Sequence, residues 1–143
     1  MKNRTKIFVF LTGILLVLYT GLAAQSAGEK IKPDEQLLQE AKLLIFDKKW
    51  SQAEQKLSEL LSRYPQSTCY AQALFYKGKC LAEQKGKELQ AWQTFEEFLN
   101  RPDKPESLVE EAQIACLDLA FNLYNSGQAS FGRILTDRLN DPS

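Results

Sequence analysis

Apolar positions along the chain fall into two regimes. From Ile7 to Ala24 there are 18 consecutive residues without a charge, with no polar face anywhere in the run. Beyond residue 33 the apolar residues recur every three to four positions, the period of amphipathic helices, and no stretch alternates as a strand would. Six helices are predicted. Asp34 caps the first, over 35–46, with Leu37, Leu38, Ala41, Leu44 and Ile45 on its apolar face. The second runs from Trp50 to Tyr64 through Ala53, Leu57, Leu60 and Leu61, and Pro65 stops it. Ser67 caps the third, which extends to about Gln84 and contains Ala71, Ala73, Leu74, Tyr76, Cys80 and Leu81; Gly86 is its expected left-handed C′ residue. The fourth, Glu88 to Asn100, aligns Leu89, Trp92, Phe95 and Leu99, and Pro102 and Pro105 punctuate the loop behind it. Ser107 caps the fifth, with Glu110 and Glu111 in its first turn and Ala112, Ala115, Cys116, Leu119, Ala120 and Leu123 along it. Ser126-Gly127 ends that helix, and Gln128 to Asn140 forms the last, with Phe131, Ile134, Leu135 and Leu139.

Six helices in this order read as an all-α domain of three hairpins over residues 34–143, behind a polar linker at 25–33. The N-terminal segment 1–24 reads differently. Lys2, Arg4 and Lys6 precede the uncharged run, and Gly21 to Ala27 is rich in small residues, which are the three parts of a secretory signal. An uncleaved membrane anchor is the alternative, since 18 residues is at the lower limit for a span. No cysteine follows Ala24, so lipid attachment there is not expected. The expected location is the periplasm, or the periplasmic side of the inner membrane if residues 7–24 are retained.

Charge and composition narrow the function. The chain has 18 basic and 18 acidic residues. Removal of residues 1–24 takes away three basic residues and no acid, leaving 15 against 18, a net charge of about −3, which argues against nucleic acid as a partner. There is no histidine, which removes the commonest general base, the usual partner of a nucleophilic serine or cysteine, and the commonest metal ligand. Glu96-Glu97 and Glu110-Glu111 are adjacent on helices, where neighbours point ~100° apart and make no catalytic dyad. No phosphate-binding loop, nucleophile elbow, metalloprotease or calcium-loop motif is present. The expectation is a non-catalytic protein without cofactor or metal.

Cys69, Cys80 and Cys116 are an odd number for an exported chain. Cys69 and Cys80 lie 11 residues apart in one predicted helix, hence ~16 Å along its axis, beyond the ~7 Å a disulfide tolerates. A Cys80–Cys116 bridge between helices is geometrically allowed, while the apolar-face positions of all three favour buried free thiols.

The three hairpins repeat one another. Ala53 and Ala91 are small residues at expected helix crossings, with Gly132 the counterpart in the third hairpin; Leu57 and Phe95 follow four residues after the first two. Gly78 is a small residue in the first helix of the second unit, and the segment LLSRYPQS leads into ALFYKGKCLAEQ. In these features the chain resembles the tetratricopeptide repeat, and within it the degenerate repeats of exported bacterial envelope proteins, such as the Tol-Pal periplasmic coordinator and the outer-membrane assembly lipoprotein. It departs from that pattern in its spacing, 38 from Ala53 to Ala91 and 41 from Ala91 to Gly132 against about 34, in Lys48-Lys49 where glycine is usual, and in lacking a Trp-Leu-Gly start. The resemblance implies a curved α-solenoid of three stacked hairpins with a concave groove lined by the first helix of each. It also implies a scaffold that binds a protein segment there. By position the groove candidates are Leu38, Lys42, Ile45, Phe75, Lys79, Phe121 and Tyr124, with apolar packing as the competing role for each, and with Lys42 and Lys79 placed to hold a carboxylate if they face one another. The alternative is a self-assembling subunit: no polar capping helix is expected after Asn140, which leaves Ile134, Leu135 and Leu139 as a candidate oligomer face.

Overall fold

Pro33 opens the first helix, because a residue without an N–H and with φ fixed near −65° suits the first helical position. The computed structural model describes residues 31–140; the signal or anchor at 1–24 and most of the 25–33 linker lie outside the described residues. Within them are six α-helices and no strand: α1 (Pro33–Phe46), α2 (Trp50–Arg63), α3 (Tyr70–Ala82), α4 (Glu88–Leu99), α5 (Val109–Asn125) and α6 (Ser130–Asn140), with a 3₁₀ turn at Glu106–Leu108 ahead of α5.

Three expected caps are corrected. Asp34 is not an N-cap: α1 starts at Pro33, two residues ahead of the expected start, and the Asp34 carboxylate accepts instead from the Ser67 hydroxyl at 2.6 Å. Ser67 does not cap a helix either. Its oxygen accepts from the Cys69 N–H at 2.9 Å, closing a turn after which α3 begins at Tyr70. Cys69 therefore precedes the helix in which it was placed. Ser107 lies inside the 3₁₀ turn, and α5 starts behind it without a side-chain cap. Glu110 and Glu111 do occupy the first turn of α5.

The helix ends carry one motif twice. At the end of α5 the Gly127 N–H donates to the Tyr124 carbonyl and the Gln128 N–H to the Leu123 carbonyl, both at 3.0 Å, with Gly127 at φ +99°. At the end of α1 the Lys48 N–H donates to Ile45 (2.9 Å) and the Lys49 N–H to Leu44 (2.8 Å), with Lys48 at φ +57°. Both are Schellman closures, in which the left-handed residue satisfies carbonyls the last turn leaves open. The first hairpin makes the closure with a lysine. Gly86 is also left-handed, at φ +85°, but α3 has already ended at Ala82, so it belongs to the turn before α4 rather than to the C′ position.

Each helix packs on its neighbours in sequence, from α1 on α2 through to α5 on α6, and α1 also touches α3. Three apolar layers result. Leu38, Ala41, Ala53, Leu57, Leu60 and Cys80 bury between α1, α2 and α3. Phe75, Phe95, Phe98, Ala112 and Cys116 bury between α3, α4 and α5, with Phe75 edge-on to Phe95 at 5.9 Å and tilted against Phe98 at 5.5 Å. Ala120, Leu123 and Phe131 bury between α5 and α6, and Trp92 of α4 meets Phe131 edge-on at 5.1 Å. Small residues stand where the helices come closest. Ala53 and Ala91 have no exposed surface, a methyl on Gly78 would sit 2.9 Å from the Phe95 ring, and one on Gly132 would sit 2.9 Å from the Tyr124 ring.

Polar ties stitch the layers at their rims. Glu54 of α2 accepts from Gln84 and from Lys87, each at 2.7 Å, across the turn into α4. Burial opposes ionisation of Glu54, but the bonds from Lys87 and Gln84 outweigh it and hold its carboxyl below the ordinary glutamate value. Arg138 of α6 pairs with Glu96 of α4, reaching past α5.

Candidate interaction surface

The first-helix candidates divide by burial. Leu38 and Phe75 are buried in the first and second layers, so they are packing residues and leave the groove set. Ile45 is half-buried against the first layer. Lys42 lies over the Tyr76 ring, 4.9 Å from its centre. Lys79, one turn along from Tyr76, sits over Phe75 at 5.6 Å and pairs with Glu111 of α5 at 2.6 Å. Lys42–Tyr76 thus links α1 to α3, and Lys79–Glu111 links α3 to α5. The carboxylate that Lys79 holds is the protein's own.

Phe121 and Tyr124 remain at the surface, 57% and 47% exposed. Ile114, which is not among the predicted candidates, is 54% exposed on the same helix. With half-buried Leu117 these residues stand at i, i+3, i+7 and i+10, one strip of α5. The opposite strip, Ala112, Cys116, Leu119, Ala120 and Leu123, is buried. α5 is therefore apolar on two sides; one is buried, and the other is only partly covered by the described chain. The signal for Ile114 emerges only as a remainder: once the buried positions of α5 are known, the apolar residues left over still keep helical spacing.

The oligomer-face candidates also divide. Ile134 and Leu135 are half-buried against Ala120, Leu123 and Phe131, which gives them a packing role, whereas Leu139 is 74% exposed. A second surface feature lies at the other end of the domain, an open groove of about 590 Å³ between α1 and α2 lined by Leu43, Leu44, Gln52 and Gln55. The ion pair of Glu40 and Lys56, 2.7 Å apart, crosses this groove.

All three cysteines are free, and Cys80 and Cys116 belong to different layers. Burial pushes both of these thiols up to about 12, so neither is ionised at neutral pH. Among the described residues no three His, Cys, Asp or Glu side chains are grouped to hold a metal ion, and no helix is long and apolar enough to cross a membrane. Compared with known proteins, the chain matches no family model, no curated protein and no solved structure.

Proposed function

We propose that this chain is a non-catalytic protein-interaction module, and that its contact surface is the outward strip of α5. The observation that carries this reading is the exposure of Ile114, Phe121 and Tyr124 in register on one helix. Burial of such side chains is worth ~1.5–3 kcal/mol each, and a contiguous strip left uncovered on a packed domain marks a place where something else binds. Consecutive helix packing, small residues at the crossings and the repeated helix closure support a TPR-like α-solenoid of three stacked hairpins. Protonated thiols at Cys80 and Cys116 and the absence of histidine from the chain favour a role without catalysis. The basic start and uncharged run of residues 1–24 support export to the periplasm, with membrane anchoring if the segment is kept.

The test is in-cell crosslinking of the tagged full-length protein, followed by mass spectrometry. A heterologous envelope protein captured by the wild type and lost with the Phe121→Asp/Tyr124→Asp pair is the expected result. Both positions are at the surface, and because the Tyr124 ring also rests on Gly132 of α6, thermal melting verifies that the pair remains folded. Capture that survives the pair removes α5 from the reading. The same sample reports its own N-terminal peptide: a start near Gln25 or Ala27 means cleavage, and an intact Met1 means an anchor.

Leu139 favours a second reading, a self-assembling subunit joined through α6. Self-crosslinks alone, abolished by Leu139→Asp, would replace the first reading with this one.

A further inference from the structure

We infer that the α5 strip takes a basic amphipathic helix: a segment with apolar residues at helical spacing, flanked by Lys or Arg. The inference rests on the docking role of α5 and adds the chemistry of what docks. α5 carries three acids, Glu110, Glu111 and Asp118, and no Lys or Arg. Of these only Glu111 meets a described cation, Lys79. Glu110 lies four residues before Ile114, and Asp118 lies four after it and three before Phe121, so both share the strip with the apolar side chains. An incoming segment that buries Ile114, Leu117, Phe121 and Tyr124 brings its own flanks over Glu110 and Asp118. Acidic flanks are repelled there and basic flanks are attracted. The same charges disfavour an anionic membrane surface or a nucleic acid at this face.

The test uses the purified full-length chain and two synthetic amphipathic peptides, identical in their Leu and Phe positions. One carries Lys and the other Glu at every polar position. Binding is read by fluorescence anisotropy at low and high salt. The expected result is a preference for the Lys peptide of about ten-fold or more at low salt, narrowing as salt screens the charges. The pair Glu110→Lys/Asp118→Lys reverses that preference, and Phe121→Ser removes binding of both peptides. All three positions are exposed, and circular dichroism with thermal melting verifies that the variants remain folded.

Equal binding of the two peptides, lost together in Phe121→Ser, overturns the charge inference and leaves the docking role of α5 standing. A preference for Lys that Glu110→Lys/Asp118→Lys leaves unchanged places the basic contact elsewhere and likewise overturns it. Binding of neither peptide overturns both. A change of sedimentation coefficient in Phe121→Ser assigns the strip to a second copy of the chain, which also overturns the inference.

Discussion

A left-handed lysine sits where its counterpart hairpin has glycine. A side chain at positive φ costs roughly 1 kcal/mol because Cβ crowds the backbone, and glycine avoids that cost. Lys48→Gly should therefore raise stability by ~0.5–1 kcal/mol, while Gly127→Ala, which creates the same strain, should lower it by about 1 kcal/mol; paired urea melts measure both. A methyl added at Gly78 meets a different obstacle, the Phe95 ring held in the second layer by Phe75. Gly78→Ala is expected to cost ~1–3 kcal/mol, and the Gly78→Ala/Phe95→Leu double variant should recover part of it, which a double-mutant cycle tests. Of the two left-handed positions, Lys48 and Gly127, one is readable in the sequence. Ser126-Gly127 announces a helix end from composition alone, but no one-dimensional pattern shows that Lys48 takes the same conformation, because lysine has no preference for it.

Helical elements were legible because each carries an apolar face at a 3.6-residue period, and that signal survives errors at the ends. The caps were less so. A serine or aspartate near a helix start is ambiguous between capping it and bonding elsewhere, and here Pro33 displaced Asp34, while Ser67 spent its hydroxyl on a turn and on Asp34. The groove candidates divide for a related reason. Periodicity gives the direction a residue faces, not whether a neighbouring helix covers it, so Leu38 and Phe75 looked like Phe121 until the layers were assembled. α5 hid Ile114 because it is apolar on two sides, which blurs the contrast between its faces. At the scale of paired elements, Glu54 ties α2 to the α3–α4 turn. Its folded-state carboxyl is held below the ordinary value of 4.5, so the stability it adds is present above that value and is lost as pH falls through the depressed one. Glu54→Gln should lower the melting temperature at neutral pH and narrow the drop that the wild type shows on acidification below the ordinary glutamate value, read by thermal melts across the acid range.

Across the whole described domain, support is greatest in the middle and least at the far end. α3 and α4 are covered on both sides, whereas α6 rests on α5 and is tethered to α4 by Trp92–Phe131 and Glu96–Arg138. Amide hydrogen exchange should therefore be fastest in α6 and slowest in α3 and α4, and Arg138→Ala should accelerate α6 while leaving α3 unchanged. Equal protection of all six helices would show a single cooperative unit instead. The run of neighbour-on-neighbour packing has a consequence in time as well as in stability. Most contacts close short loops of chain, the low contact-order regime in which helical domains fold in microseconds to milliseconds. Each hairpin can form as soon as its own residues are available, and the layer behind it offers a template for the next, so assembly can proceed in the order in which the chain is delivered.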